Sequence, residues 1–162
     1  AMITSGGVSV GDADYITETI EKLGTLAFWR HNLKPGKPMA FGKIENCWIF
    51  GLPGNPVSTI VTALLLVRPA LAALAGTVPE APLRIKAKLT TSLQHQPGRT
   101  EYQRGTFTQR DDGFEVGHTG DQDSNRLSTF HNANCLIKVD NETRDLQPGD
   151  WVNILPLTDL IN

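Results

Sequence analysis

The pattern of apolar residues changes character at a short proline-containing stretch, Thr77 to Pro82, and this change limits what the chain can fold into. Ahead of it runs an apolar segment from Val57 to Ala75, about as long as a membrane span, which needs roughly 20 apolar residues. Thr59, Thr62, Arg68 and Pro69 interrupt it, so it reads as a buried crossover helix, with a kink or restart at Pro69 and a stop at Gly76. Beyond Pro82 helical periodicity disappears. Candidate strands there are Leu83–Leu89, Glu101–Thr108, Phe114–His118, Cys135–Val139 and Trp151–Leu155. Turn signals separate them at Pro97-Gly98, Asp111-Asp112-Gly113 and Pro148-Gly149-Asp150, which suits a small barrel or sandwich. The expected organisation is therefore α/β over residues 1–78 followed by all-β over 83–162.

Within the first unit, Met2–Thr4 reads as the end of a buried strand and Asp14–Leu23 as a helix with Ile16, Ile20 and Leu23 on one stripe. Gly24 fits its stop. Leu26–Leu33 suits a strand. Met39–Phe41 and Cys47–Phe50 suit two more, joined in a hairpin through residues 42–46.

Charge and cysteine usage narrow the function classes. Residues 1–82 carry six basic and six acidic side chains, and residues 83–162 carry nine and eleven. Neither half has the basic excess of a protein that grips nucleic acid through its phosphates. Only Cys47 and Cys135 occur, in different halves, which fits two reduced thiols in a cytoplasmic protein better than a disulfide framework. His31, His95, His118 and His131 have no metal-ligand spacing, so a zinc site is not expected. The opening Ala-Met runs directly into apolar strand sequence, and the chain is read as a fragment of a longer protein.

Three segments carry the chemistry. Residues 5–15, SGGVSVGDADY, join a strand to a helix through three glycines and two carboxylates. Glycine brings backbone close to a ligand, helix-start amides suit phosphate, and Asp12 and Asp14 could hold a divalent cation such as Mg²⁺. The run matches neither a Walker loop nor a dinucleotide fingerprint, and capping of the helix is the bland account of the acids. Residues 34–38, KPGKP, hold Lys34 and Lys37 on a proline-stiffened loop, partly preorganised for an anion. Residues 51–58, GLPGNPVS, form a second strand-to-helix turn, with Asn55 as N-cap and Pro56 at the first helical position. A second helix start beside the first would aim two positive dipole ends at one pocket.

In this order and at these separations, the three segments strongly resemble the molybdopterin molybdenumtransferase family, which includes the carboxy-terminal domain of gephyrin. The likeness continues through residues 97–105, PGRTEYQRG, and 146–152, LQPGDWV, so it spans nearly the whole chain. It implies the second half of a molybdopterin-binding α/β sheet domain followed by a C-terminal β-barrel. Family members carry further N-terminal domains, and act as homodimers when full length.

The implied activity is transfer of molybdenum from molybdate to adenylylated molybdopterin, with Mg²⁺ assisting and AMP released. The resemblance places Ser5, Gly6, Gly7, Ser9 and Gly11 against phosphate or pterin, and Pro53, Gly54, Asn55, Pro56 and Ser58 on the opposite wall. Asp14, with Asp12, would bind the metal or orient the attacking oxygen, and Lys34 and Lys37 would draw in the oxyanion. Arg104 and Ser128 are further candidate contacts, beside a segment at 120–125 that departs from the Gly-Ser turn expected of the family. No partner nucleic acid or membrane is implied. Two other readings compete: molybdopterin adenylylation, whose enzymes lack the barrel, and a non-catalytic scaffold that binds peptides as gephyrin does.

Overall fold

The computed structural model describes residues 1–8, 15–29, 32–36, 38–120, 122–123 and 127–161. Its contacts divide the chain into two units, Ala1–Glu80 and Ala81–Asn162.

The first unit is built on a four-stranded sheet. Its elements are β1 (Met2–Ser5), α1 (Tyr15–Leu23), β2 (Thr25–Trp29), the two-residue β3 (Leu33–Lys34), β4 (Ala40–Ile44) and β5 (Cys47–Leu52). The sheet order is β1-β5-β4-β2, with β1 and β5 parallel and the other pairs antiparallel. Side chains of β4 and β5 alternate cleanly between two faces, as a pleated strand requires. Ala40, Ile44, Cys47 and Ile49 join Val8, Ile16 and Ile20 on the α1 side. Phe41, Trp48, Phe50 and Leu52 join Met39, Ala63, Leu66, Val67, Ala70 and Leu71 on the other. Each fully buried apolar side chain contributes about 1.5–3 kcal/mol to this three-layer arrangement.

Gly42 explains how closely the layers sit. A Cβ there would lie 2.5 Å from Ile20 Cγ2 and 2.6 Å from the Thr25 carbonyl oxygen. The glycine is thus part of β4, not of the hairpin loop, and the loop shrinks to Glu45-Asn46, with Glu45 at φ +50°.

Other expectations are corrected. Among the described residues Met2–Ser5 pairs with β5 alone, and Met2 and Ile3 are about half exposed instead of buried. Leu23 ends α1, where the chain turns into β2, and stays exposed while Thr17 and Ile20 are buried. Of the single strand expected over Leu26–Leu33, β2 holds the part as far as Trp29, Leu33 falls in β3, which is no part of the four-stranded sheet, and residues 30 and 31 lie outside the described residues.

The apolar segment forms α2 (Pro56–Thr62), a wide π-helical turn (Ala63–Val67) and α3 (Arg68–Leu74). Pro69 has no amide hydrogen, and just before it the Arg68 N–H reaches back five residues to the Ala63 carbonyl. The restart expected at Pro69 is therefore present. By length and composition alone Pro56–Leu74 could cross a membrane. Here Val57, Ser58, Val61, Thr62 and Val67 are buried, but α3 buries no residue fully, so the helix is covered on one face rather than enclosed.

The second unit is a closed barrel. Its strands are β6 (Ile85–Leu89), β7 (Thr100–Arg110), β8 (Gly113–His118), β9 (Cys135–Val139) and β10 (Trp151–Pro156). They run in the order β7-β8-β6-β10-β9, and β9 pairs again with β7 to complete the ring. Ala87, Leu89, Val116, Cys135, Ile137, Val139, Val152 and Ile154 fill the interior. His95 pins two turns outside it: Nδ1 lies 2.8 Å from the Thr143 carbonyl oxygen and Nε2 lies 3.0 Å from that of Arg99. A 3₁₀ turn (Leu127–Phe130) and a closing α4 (Leu157–Ile161) escaped the sequence reading. Both are single turns, too short to show a period.

Two outcomes are expected. Gly42→Ala should lower the unfolding free energy by about 1–3 kcal/mol through overpacking, measured by urea denaturation. Burial pushes the Cys135 thiol up to about 12, whereas Cys47 is only partly buried. Native-state alkylation followed by mass spectrometry should therefore label Cys47 first. The unfolded thiol loses its proton near 9.0, so the stabilisation from Cys135 is whole below that pH and is lost as pH rises towards 12.

Candidate functional site

Parallel pairing sets Met2 opposite Ile49 and Ser5 opposite Leu52, so both strands end at the same edge of the sheet. The glycine turn after β1 and the turn after β5 therefore leave side by side. Strand β4 runs the other way and begins with Ala40 opposite Gly51, so the chain enters it through Pro38 and Met39 at that same end. Residues 5–8 and 51–58 therefore meet beyond the carboxyl ends of parallel strands, where open α/β sheets take ligands; Lys34 belongs to β3, which is no part of this sheet.

The two turns are fastened to each other. The Gly6 amide donates to the Leu52 carbonyl at 3.0 Å, one step beyond the ladder. The Ser5 hydroxyl donates to the Pro53 carbonyl at 3.3 Å. A Cβ placed on Gly54 would lie 3.4 Å from Gly6 Cα, so the turns touch at their glycines. Gly6 and Gly7 both take left-handed φ, +87° and +74°, which folds the chain back so that the Gly7 carbonyl accepts the Ile16 amide at 3.3 Å. The Gly6 amide and the Ser5 hydroxyl thus each have a partner within the protein.

At the second turn Asn55 sits at the N-cap with extended backbone (φ −75°, ψ 126°) and Pro56 follows in the first turn, but the Asn55 side chain makes no cap hydrogen bond. Thr59 holds this turn instead. Its hydroxyl lies 2.5 Å from the Pro53 carbonyl oxygen and 2.9 Å from that of Asn55. Gly54 and Pro56 are exposed, Asn55 is partly so, and Pro53 and Ser58 are buried. Thr59 was read only as an interruption of an apolar run. Its signal was a hydroxyl residue four places after an N-cap asparagine.

Lys34 is exposed at the end of β3, ahead of the buried Pro35 and Gly36. Ser9, Gly11, Asp12, Asp14 and Lys37 lie outside the described residues. Among the described residues no group of three His, Cys, Asp or Glu side chains could hold a metal ion.

In the barrel, Arg104 is 1% exposed. Its Nε donates to Thr129 Oγ1 at 3.0 Å, Nη1 to the Gln122 carbonyl at 3.0 Å and Nη2 to the Asp123 carbonyl at 3.1 Å. Gln122 returns bonds to the Arg104 backbone. Arg104 thus ties Gln122, Asp123 and Thr129 together from inside, while Ser128 is exposed on the 3₁₀ turn.

A helix-covered sheet that delivers two glycine turns to one end, followed by a closed five-stranded barrel, defines a two-unit chain with a ligand site on its α/β part. Residues 1–73 match the family described as a probable molybdopterin binding domain, and residues 86–157 match the MoeA C-terminal region, domain IV. The chain is therefore similar along nearly its whole length to molybdopterin molybdenumtransferases. It is 43% identical over 162 residues to the molybdopterin molybdenumtransferase of Haemophilus influenzae, an alignment covering 99% of this chain and 40% of that protein. It is 35% identical over 179 aligned residues to gephyrin of Dictyostelium discoideum, covering 95% of this chain and 25% of that one. The solved molybdopterin biosynthesis MoeA protein of Pyrococcus horikoshii superposes with a TM-score of 0.73 at 25% identity, over 95% of this chain and 36% of its own. The chain spans less than half the length of each.

Gly6→Ala tests the strained turn. Open space surrounds the position, so only the left-handed backbone opposes the methyl group. The substitution should cost about 1–2 kcal/mol in thermal denaturation without loss of the fold; an unchanged melting curve would show that the turn relaxes.

Proposed function

We propose that this chain forms part of a molybdopterin molybdenumtransferase, which inserts molybdenum from molybdate into adenylylated molybdopterin and releases AMP. The observation that carries the reading is the meeting of the two glycine turns at one end of the sheet, beyond the parallel strands β1 and β5. The similarity to molybdopterin molybdenumtransferases supports the same conclusion. Backbone packed this tightly admits a flat pterin and its phosphate close to the main chain. The chain's own part is positioning and electrostatic stabilisation of displaced phosphate and oxyanion groups.

In this proposal Gly7, Gly54, Asn55 and Pro56 line the pocket, and Lys34 and Lys37 attract molybdate or phosphate as point charges. Asp14, with Asp12, supplies the carboxylates that suit Mg²⁺, whose role when bound is to neutralise phosphate charge. The working form is a cytoplasmic homodimer of the longer protein.

The test is cofactor formation by the full-length protein at varied molybdate. Asp14→Asn should abolish it with the fold retained, and Lys34→Ala should raise the molybdate required by about tenfold or more. Unaltered molybdenum insertion in both variants would overturn the proposal.

A further inference from the structure

We infer that Thr59, assisted by Ser5, is a positioning residue that sets the gap between the two glycine turns, and thereby decides whether the pocket accepts molybdopterin. This rests on the ligand class proposed above.

The focus is the Pro53 carbonyl. It lies between the last residue of β5 and the N-cap of α2, outside both ladders, on a buried residue. A buried carbonyl needs a donor from somewhere. The Leu52 carbonyl beside it already accepts the Gly6 amide. Two hydroxyls approach the Pro53 oxygen: Thr59 at 2.5 Å, from the first turn of the following helix, and Ser5 at 3.3 Å, from the end of the neighbouring strand.

A threonine within a helix commonly bonds back to the carbonyl four residues earlier, with little structural consequence. That account fits poorly here. The Asn55 carbonyl already accepts the Thr59 amide at 2.8 Å, and the Thr59 hydroxyl is closer to Pro53 than to Asn55. A hydroxyl has one proton to donate, and the shorter distance assigns it to Pro53. The second turn is then tied forward to its own helix by Thr59 and sideways to the first turn by Ser5. The two turns run close at this point: a Cβ on Gly54 would come 3.4 Å from Gly6 Cα. Neither hydroxyl needs to touch a ligand to tie them.

The experiment uses the full-length protein with Thr59→Val, which keeps the shape and removes the hydroxyl, and Thr59→Ser, which restores it. Two quantities are read: molybdopterin affinity by fluorescence titration, and amide hydrogen exchange at Gly6 without ligand. Thr59→Val should weaken molybdopterin by about tenfold and accelerate Gly6 exchange while the melting temperature stays near that of the parent, and Thr59→Ser should recover both. Unchanged Gly6 exchange in Thr59→Val overturns the inference, as does unchanged affinity. Should the parent protein bind no molybdopterin, the proposed function fails while the exchange measurement still decides the positioning role. If Thr59→Val does not fold, Ser5→Ala takes its place, with faster Gly6 exchange as the supporting result and unchanged exchange as the overturning one.

Discussion

One hydrogen-bonded ladder, the parallel pairing of β1 with β5, brings together segments far apart in the sequence. Ser5 faces Leu52 across it, and the ladder continues past the strand ends through the Gly6 amide and the Leu52 carbonyl. Antiparallel pairing would send one of the two turns to the opposite edge of the sheet. Because the pair is parallel, both turns emerge at one end, and the antiparallel β4 admits its preceding loop to the same place. The rest of the first unit supports this geometry. Helix α1 covers one face of the sheet and the α2–α3 segment covers the other.

Close packing and the site are linked through missing side chains. Gly42 lets Ile20 press onto the sheet, which sets how α1 lies over it. At the sheet end Gly6 acts through its left-handed backbone, since open space surrounds it, and a Cβ on Gly54 would just reach Gly6 Cα. The barrel solves its polar problem differently. Arg104 is too large and too charged to bury without partners, and its donors are met by Thr129 and by the carbonyls of Gln122 and Asp123. A residue read as a candidate ligand contact is thus also the internal support of Gln122, Asp123 and Thr129.

Much of the architecture was legible because its signals are local. Alternation of apolar residues located all five barrel strands, and the turn glycines Gly98, Gly113 and Gly149 do take left-handed backbone. The three chemistry-bearing segments were visible as glycine and proline punctuation. What escaped the reading depends on neighbours remote in the chain. Gly42 looked like a hairpin loop residue until Ile20 was seen above it. The exposure of Met2 and Ile3 goes with pairing to β5 alone among the described residues. Nothing in the sequence shows that the Leu52 and Pro53 carbonyls accept the Gly6 amide and the Ser5 hydroxyl. Of the expected acids and lysines only Lys34 falls among the described residues, so Asp12, Asp14 and Lys37 rest on the sequence alone.

The two units also differ in how they can come apart. In the barrel every strand is bonded along both sides, so removing any one leaves two others with bare edges. Opening such a ring is concerted, and protection against solvent exchange should rise or fall in all its strands together. Among the described residues the first unit's sheet is not closed in this way, and its two glycine turns depend on one ladder, β1 with β5. Loosening that ladder alone would part the turns.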